Sequence, residues 1–145
     1  MIDEKQNIDH VVVSRRGIWA LETKNIDGVI TCEGDQWNRT RIGSKGEEYE
    51  GYIGSPSKQA KSNAIKIKNY LERQLPDTFK SLKLYVEPIV IIANEEAELN
   101  IKNPSTDIYT HKEIKKQIKN KNNNKKEIFN KKEIKNIIKE LKKLK

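Results

Sequence analysis

Cysteine is nearly absent from this chain. Cys32 stands alone among 145 residues, which excludes an internal disulfide and a cysteine-rich zinc site. We read it as a small buried residue rather than a reactive thiol. Histidine is as scarce, and His10 and His111 are too few for a histidine metal centre. No apolar run is long enough to span a bilayer and no signal-peptide pattern is visible, so a cytoplasmic protein is the natural reading. There is no Gly-rich phosphate loop, no helicase motif and no Ser-His-Asp arrangement to offer another enzyme class. Apolar residues make up 34%, no more than charged ones, so the core must be modest, and the length suits one domain.

What the chain has in excess is positive charge. The net value is +8, which favours polyanionic partners. From His111 to Lys145 fourteen lysines face four glutamates, a balance of +10, so the remainder is near neutral. This Lys-, Asn- and Ile-rich segment reads equally as a solvated tail shaped by codon bias and as a nucleic-acid arm. In the second case binding is expected to be sequence-independent and steeply salt-dependent.

The chemistry-bearing stretch runs from Asn7 to Asn25 and reads as two short strands joined by a tight turn at Arg15-Arg16. Side chains alternate along a strand, so Asp9, Val11 and Val13 share one face, and Ile18, Ala20, Glu22 and Lys24 share one face of the second strand. With Ser14 opposite Gly17, Asp9 falls across from Glu22; a slip of one residue would send Asp9 to the other face. The other residues are mostly β-branched, aromatic or apolar, so the hairpin is expected to be buried on both sides. Charged groups are rarely buried without partners or a metal. Two carboxylates beside a lysine can hold a divalent cation such as Mg²⁺ or Mn²⁺ next to a phosphodiester, with Lys24 orienting water or neutralising developing charge.

Further along, Val29 to Cys32 and Gln36 to Arg41 are expected strands of a meander, with Trp37 anchoring a small core rather than stacking on a base. Ser55-Pro56 opens the clearest helix, with Ser as N-cap and Pro at the first helical position. Ala60, Ala64, Ile67, Leu71 and Leu75 form its buried stripe. Lys58 and Lys61 lie elsewhere on it, where they line a phosphate track or simply face solvent. Gln59 neighbours the stripe at the helix N-terminus, where backbone N–H groups favour anions. Leu82 to Ala93 is the strongest strand signal and is expected beside the hairpin, broken or bulged at Pro88. Thr110 to Glu113 and Asn130 to Glu133 resemble capping boxes, each opening a short helix, with Asn120 to Asn124 as a link between them. The final helix carries Ile134, Ile137, Ile138, Leu141 and Leu144 on one stripe. Packing on the domain, pairing with another chain and lying on anionic lipid all fit that pattern.

The run Ile8-Asp9-His10-Val11-Val12, then Gly17, the apolar strand Ile18 to Leu21, Glu22-Thr23-Lys24 and Asp27-Gly28, resembles the signature of the nuclease-related domain (NERD) family. That family is a branch of the PD-(D/E)XK nuclease superfamily. A second family element, a Pro followed three residues on by Gln, matches Pro56 and Gln59, with Ser55 where Asn is more usual. The resemblance covers roughly residues 7–99. It implies a restriction-endonuclease-like α/β fold, a mixed sheet with flanking helices. It also implies Asp9, Glu22 and the backbone carbonyl of Thr23 as ligands of Mg²⁺ or Mn²⁺, Lys24 as the catalytic lysine and Gln59 at the site's edge. The implied activity is metal-dependent hydrolysis of DNA leaving a 5′-phosphate. Relatives carry an N-terminal helix and a first strand that residues 1–6 do not supply, so the core reads as N-terminally truncated, with a second chain or partner completing the sheet as one option. The expected organisation is a partial nuclease core over 1–106 and a Lys/Asn-rich helical tail over 107–145. A non-catalytic nucleic-acid-binding module and an inactive remnant stand as alternatives to the enzyme.

Overall fold

The structure, a computed structural model, describes residues 10–80, 82 and 84–144. Its first strands are β1 (His10–Ser14) and β2 (Gly17–Lys24), antiparallel, with Ser14 opposite Gly17 and His10 opposite Leu21. This is the register expected of the Arg15-Arg16 turn. Six consecutive residues of β2, Gly17 to Glu22, are buried, because both faces of the strand are covered.

The long apolar run supplies β6 (Val86–Ile92), which lies parallel to β2, with Glu22 beside Val90 and Lys24 beside Ile92. It is continuous through Pro88, where a break or bulge was expected. The next strand outward, β8 (Asp107–Thr110), pairs with β6 only from Ile89 onward, so β6 still has one open edge at Pro88, the setting in which a missing N–H is tolerated. The first sheet therefore runs β1-β2-β6-β8.

A second four-stranded sheet grows out of the same strand pair. After Lys24 the chain turns through Gly28 into β3 (Val29–Glu33), and after Ile92 it turns into β7 (Glu98–Lys102), which lies parallel to β3. Hydrogen bonds from Ala93 N to Lys24 O and from Glu98 N to Gly28 O, both 2.9 Å, hold the two exits together. Gly28 has φ +90°, and a Cβ there would stand 2.6 Å from Thr40 O, so the turn requires glycine. β4 (Gln36–Ile42) and β5 (Glu48–Gly51) complete the order β5-β4-β3-β7.

The helix α1 (Pro56–Gln74) starts where expected. The Ser55 hydroxyl accepts from Lys58 N, and Ala60, Ala64, Ile67 and Leu71 form its buried stripe. It lies over the sheet face carrying Ile18, Ala20 and Val86. A short α2 (Pro76–Phe79) follows. The opposite face, with Trp19, Leu21, Ile89 and Ile91, is covered by Tyr109 and by Ile114 and Ile118 of α3 (Ile114–Asn123). That helix continues through most of the asparagine link because the hairpin turn caps it. Ser14 Oγ donates to Asn122 Oδ1 at 2.7 Å, and Arg16 Nη1 donates to the carbonyls of Asn122 and Asn123.

The last helix, α4 (Lys131–Lys142), opens with a complete capping box between Asn130 and Glu133. Of the three settings its pattern allowed, it adopts the first. Ile137 is fully buried among Ile18, Ile67 and Leu71, with Ile134 and Leu141 packed against the same cluster, and Phe129 meets Phe79 edge to face at 5.9 Å. The basic segment thus supplies helices and core side chains, and β8 immediately before it completes the first sheet. The whole is an α/β fold of two mixed sheets flanked by helices, as expected of a restriction-endonuclease-like architecture.

Candidate active site at the end of the parallel strand pair

Glu22 is the only acidic residue fully buried among the described ones, 3% exposed, and it lies near the end of β2 where the chain leaves the first sheet. Alternation along β2 turns it to the α1 side, with Ile18 and Ala20. A buried carboxylate needs donors. Two reach it. Lys24, two residues on and so on the same face, brings its Nζ to 3.4 Å from Oε1, and Asn63 of α1 donates from Nδ2 to Oε2 at 3.4 Å. The Lys24 side chain keeps about a third of its surface exposed, so the ammonium joins a buried carboxylate to solvent. Thr23 between them turns to the other face and is registered with Ile91.

Among the other expected site residues, Gln59 is exposed in the first turns of α1, one helical turn before Asn63 and on its stripe. Asp9 lies outside the described residues. Among those described, no three of His, Cys, Asp and Glu come together in a metal-binding group. Lys58 is exposed. Lys61 is ion-paired, with Nζ 2.7 Å from Asp35 Oδ2.

That pair belongs to a clamp at the start of α1. Trp37 Nε1 donates to Ser57 Oγ at 2.9 Å, and Ser57 Oγ donates to Asp35 Oδ1 at 2.6 Å; the same oxygen accepts from Ser105. The hydrogen bond from Lys61, then those from Ser105 and Ser57, hold the Asp35 carboxyl well below the usual carboxylate range. Ser57 is fully buried, and Trp37 packs with Ile30, Cys32 and Ala60. Burial, with the Asp35 charge second, pushes the Cys32 thiol up and keeps it protonated. The clamp fixes the helix that carries Gln59 and Asn63 over the end of β2.

Neither Asn63 nor the clamp follows from the motif pattern. The signal for Asn63 is an amide on the Ala60-Ala64-Ile67 side of an otherwise apolar helix face, since a buried amide must find a partner. For Asp35 and Ser57 no local signal exists, because residues 22 apart meet only after the meander and helix have docked.

The profile of the nuclease-related domain family matches residues 2–93, a span that contains Glu22, Lys24, Gln59 and Asn63. No curated protein and no solved structure matches the chain.

Proposed function

Because the chain belongs to the nuclease-related domain (NERD) family, we propose that it is a metal-dependent nuclease-like domain hydrolysing phosphodiester bonds in DNA. The observation that carries this reading is the Glu22–Lys24 pair, a buried carboxylate and the ammonium of a one-third-exposed lysine 3.4 Å apart where β2 and β6 leave the sheet. Glu22 fits a hard divalent cation, since its oxygens are fixed by Lys24 and Asn63 at a strand end rather than lost in an apolar core. In this reading Asp9, Glu22 and the Thr23 carbonyl hold Mg²⁺ or Mn²⁺, which supplies Lewis-acid chemistry at the scissile phosphate.

The protein's own groups do the rest. Lys24 lies beside the Glu22 carboxylate and offers N–H donors to a phosphate oxygen or to the attacking water as negative charge develops. Asn63 holds the second Glu22 oxygen and so fixes the carboxylate plane. Gln59, exposed one turn earlier, contacts the substrate backbone or that water. Lys58 is free to meet a phosphate, whereas Lys61 must first give up Asp35.

The test is cleavage of plasmid and single-stranded DNA with Mg²⁺ or Mn²⁺ by the full chain and by its Glu22→Gln and Lys24→Ala variants, with folding checked by circular dichroism. The reading predicts cutting by the native chain and at least a hundredfold loss in each folded variant. A folded native chain that cuts neither substrate with either metal refutes it, and leaves the non-catalytic binding module.

A further inference from the structure

The C-terminal helix carries a feature that the hydrolytic site does not use. At about 100° per residue, Lys131, Lys142, Lys135, Lys139 and Lys132 of α4 and its C-cap Lys143 fall within an arc of about 120°, while Ile134, Ile137 and Leu141 point the other way. All six lysines are exposed. Only Lys143 has an acidic partner, Glu140 at 3.0 Å; among the described residues the other five make no ion pair. The two glutamates of the helix are engaged elsewhere, Glu133 in the capping box and Glu140 with the Tyr70 hydroxyl. Five of the six charges are therefore unneutralised, and the stripe is rigid, because the opposite side of the helix is part of the core.

We propose that this lysine face of α4 is a sequence-independent docking surface for the phosphate backbone of a nucleic acid. The choice of nucleic acid rests on the nuclease-related reading above, whereas the surface rests on the stripe itself. Two observations favour that occupant. First, an amphipathic helix binds a bilayer by burying its apolar face in the lipid, and here that face is already packed against Ile18, Ile67 and Leu71. Second, α4 sits against Val11, Val13 and Ile18, on the side of the first sheet to which Glu22 points. A backbone held along α4, about 18 Å long, lies on the same side as the candidate active site. The lysines of α3, Lys115, Lys116 and Lys119, belong to a helix on the opposite side of that sheet.

Each phosphate neutralised on duplex DNA contributes about −0.9 to the slope of log K against log salt. The experiment is fluorescence anisotropy of a labelled 30-bp duplex between 50 and 200 mM KCl. It compares the native full chain, a variant with Lys131, Lys135, Lys139 and Lys142 each changed to Gln, and a control with Lys115, Lys116 and Lys119 changed to Gln. Glutamine keeps helix propensity, and circular dichroism verifies the fold. The proposal predicts a slope shallower by about 3 to 4 and at least tenfold weaker binding at low salt for the α4 variant, with the α3 control within about twofold of native. If the fourfold variant fails to fold, the Lys135→Gln, Lys139→Gln pair should show about half the slope change. Equal losses in both variants, or none in the α4 variant, overturn the proposal. So does selective loss of binding to phosphatidylserine vesicles with DNA binding intact. A chain that cuts nothing yet keeps the α4-dependent slope refutes hydrolysis and leaves this surface standing.

Discussion

At the scale of single residues, Glu22 sets the terms. Its carboxylate is buried, and donors reach it from different elements, Lys24 on its own strand and Asn63 on α1. Removing the amide with Asn63→Ala leaves one oxygen with fewer donors and should cost about 1–3 kcal/mol in urea unfolding. If Asn63 orients the carboxylate, the same variant should also shift the Mg²⁺ concentration needed for half-maximal cleavage, a readout that loss of stability alone does not move. Asp35 makes a prediction of opposite character, because it acts on the helix rather than on the site. Its pKa is depressed on folding from the ordinary 3.8, so its contribution is complete above that value and fades as pH falls through the lowered folded one. The Tm difference between the native chain and Asp35→Asn should be constant from about pH 5 to 7 and shrink below about pH 4. Ser57→Ala, which orphans the Trp37 indole N–H in a buried site, should cost about 1–3 kcal/mol at any of these pH values.

At the scale of elements, what was legible in the sequence was what local rules control. The hairpin register followed from the two-residue turn and the alternation of Val11, Val13, Ile18 and Ala20, and α1 from the Ser55-Pro56 start and its stripe. The strand runs on through Pro88, which local rules do not show, because proline's cost depends on whether a neighbour needs its N–H, and the neighbour β8 is set by tertiary structure. Asp107 to Thr110 shows too short a pattern to read as a strand without β6 beside it. The last helix showed its amphipathic face but not what covers it. Because Ile137 is fully buried with Phe129 close by, Ile137→Ala should destabilise the whole chain by about 2–5 kcal/mol in a single transition. A chain ending at residue 106 loses β8, Phe129 and Ile137 and should lack cooperative thermal unfolding.

At the scale of the whole molecule, the fold turns a linear motif into a place. Two parallel strands leave one sheet and start another together, and the helix clamped by Asp35, Ser57 and Trp37 crosses the point of departure. Glu22 and Lys24 stand at that point, and α4 covers the same side of the sheet with its lysines outward. The pairing of Glu22 with Lys24 was legible from the Glu-x-Lys spacing. The share of Asn63 was not, because it depends on where α1 docks. Mn²⁺ titration by calorimetry reads the proposed role of Glu22 as a ligand of a divalent cation without passing through catalysis. One Mn²⁺ site is expected on the native chain, lost in Glu22→Gln and in Asp9→Asn while both variants stay folded. Mn²⁺ binding unchanged by Glu22→Gln would contradict that role.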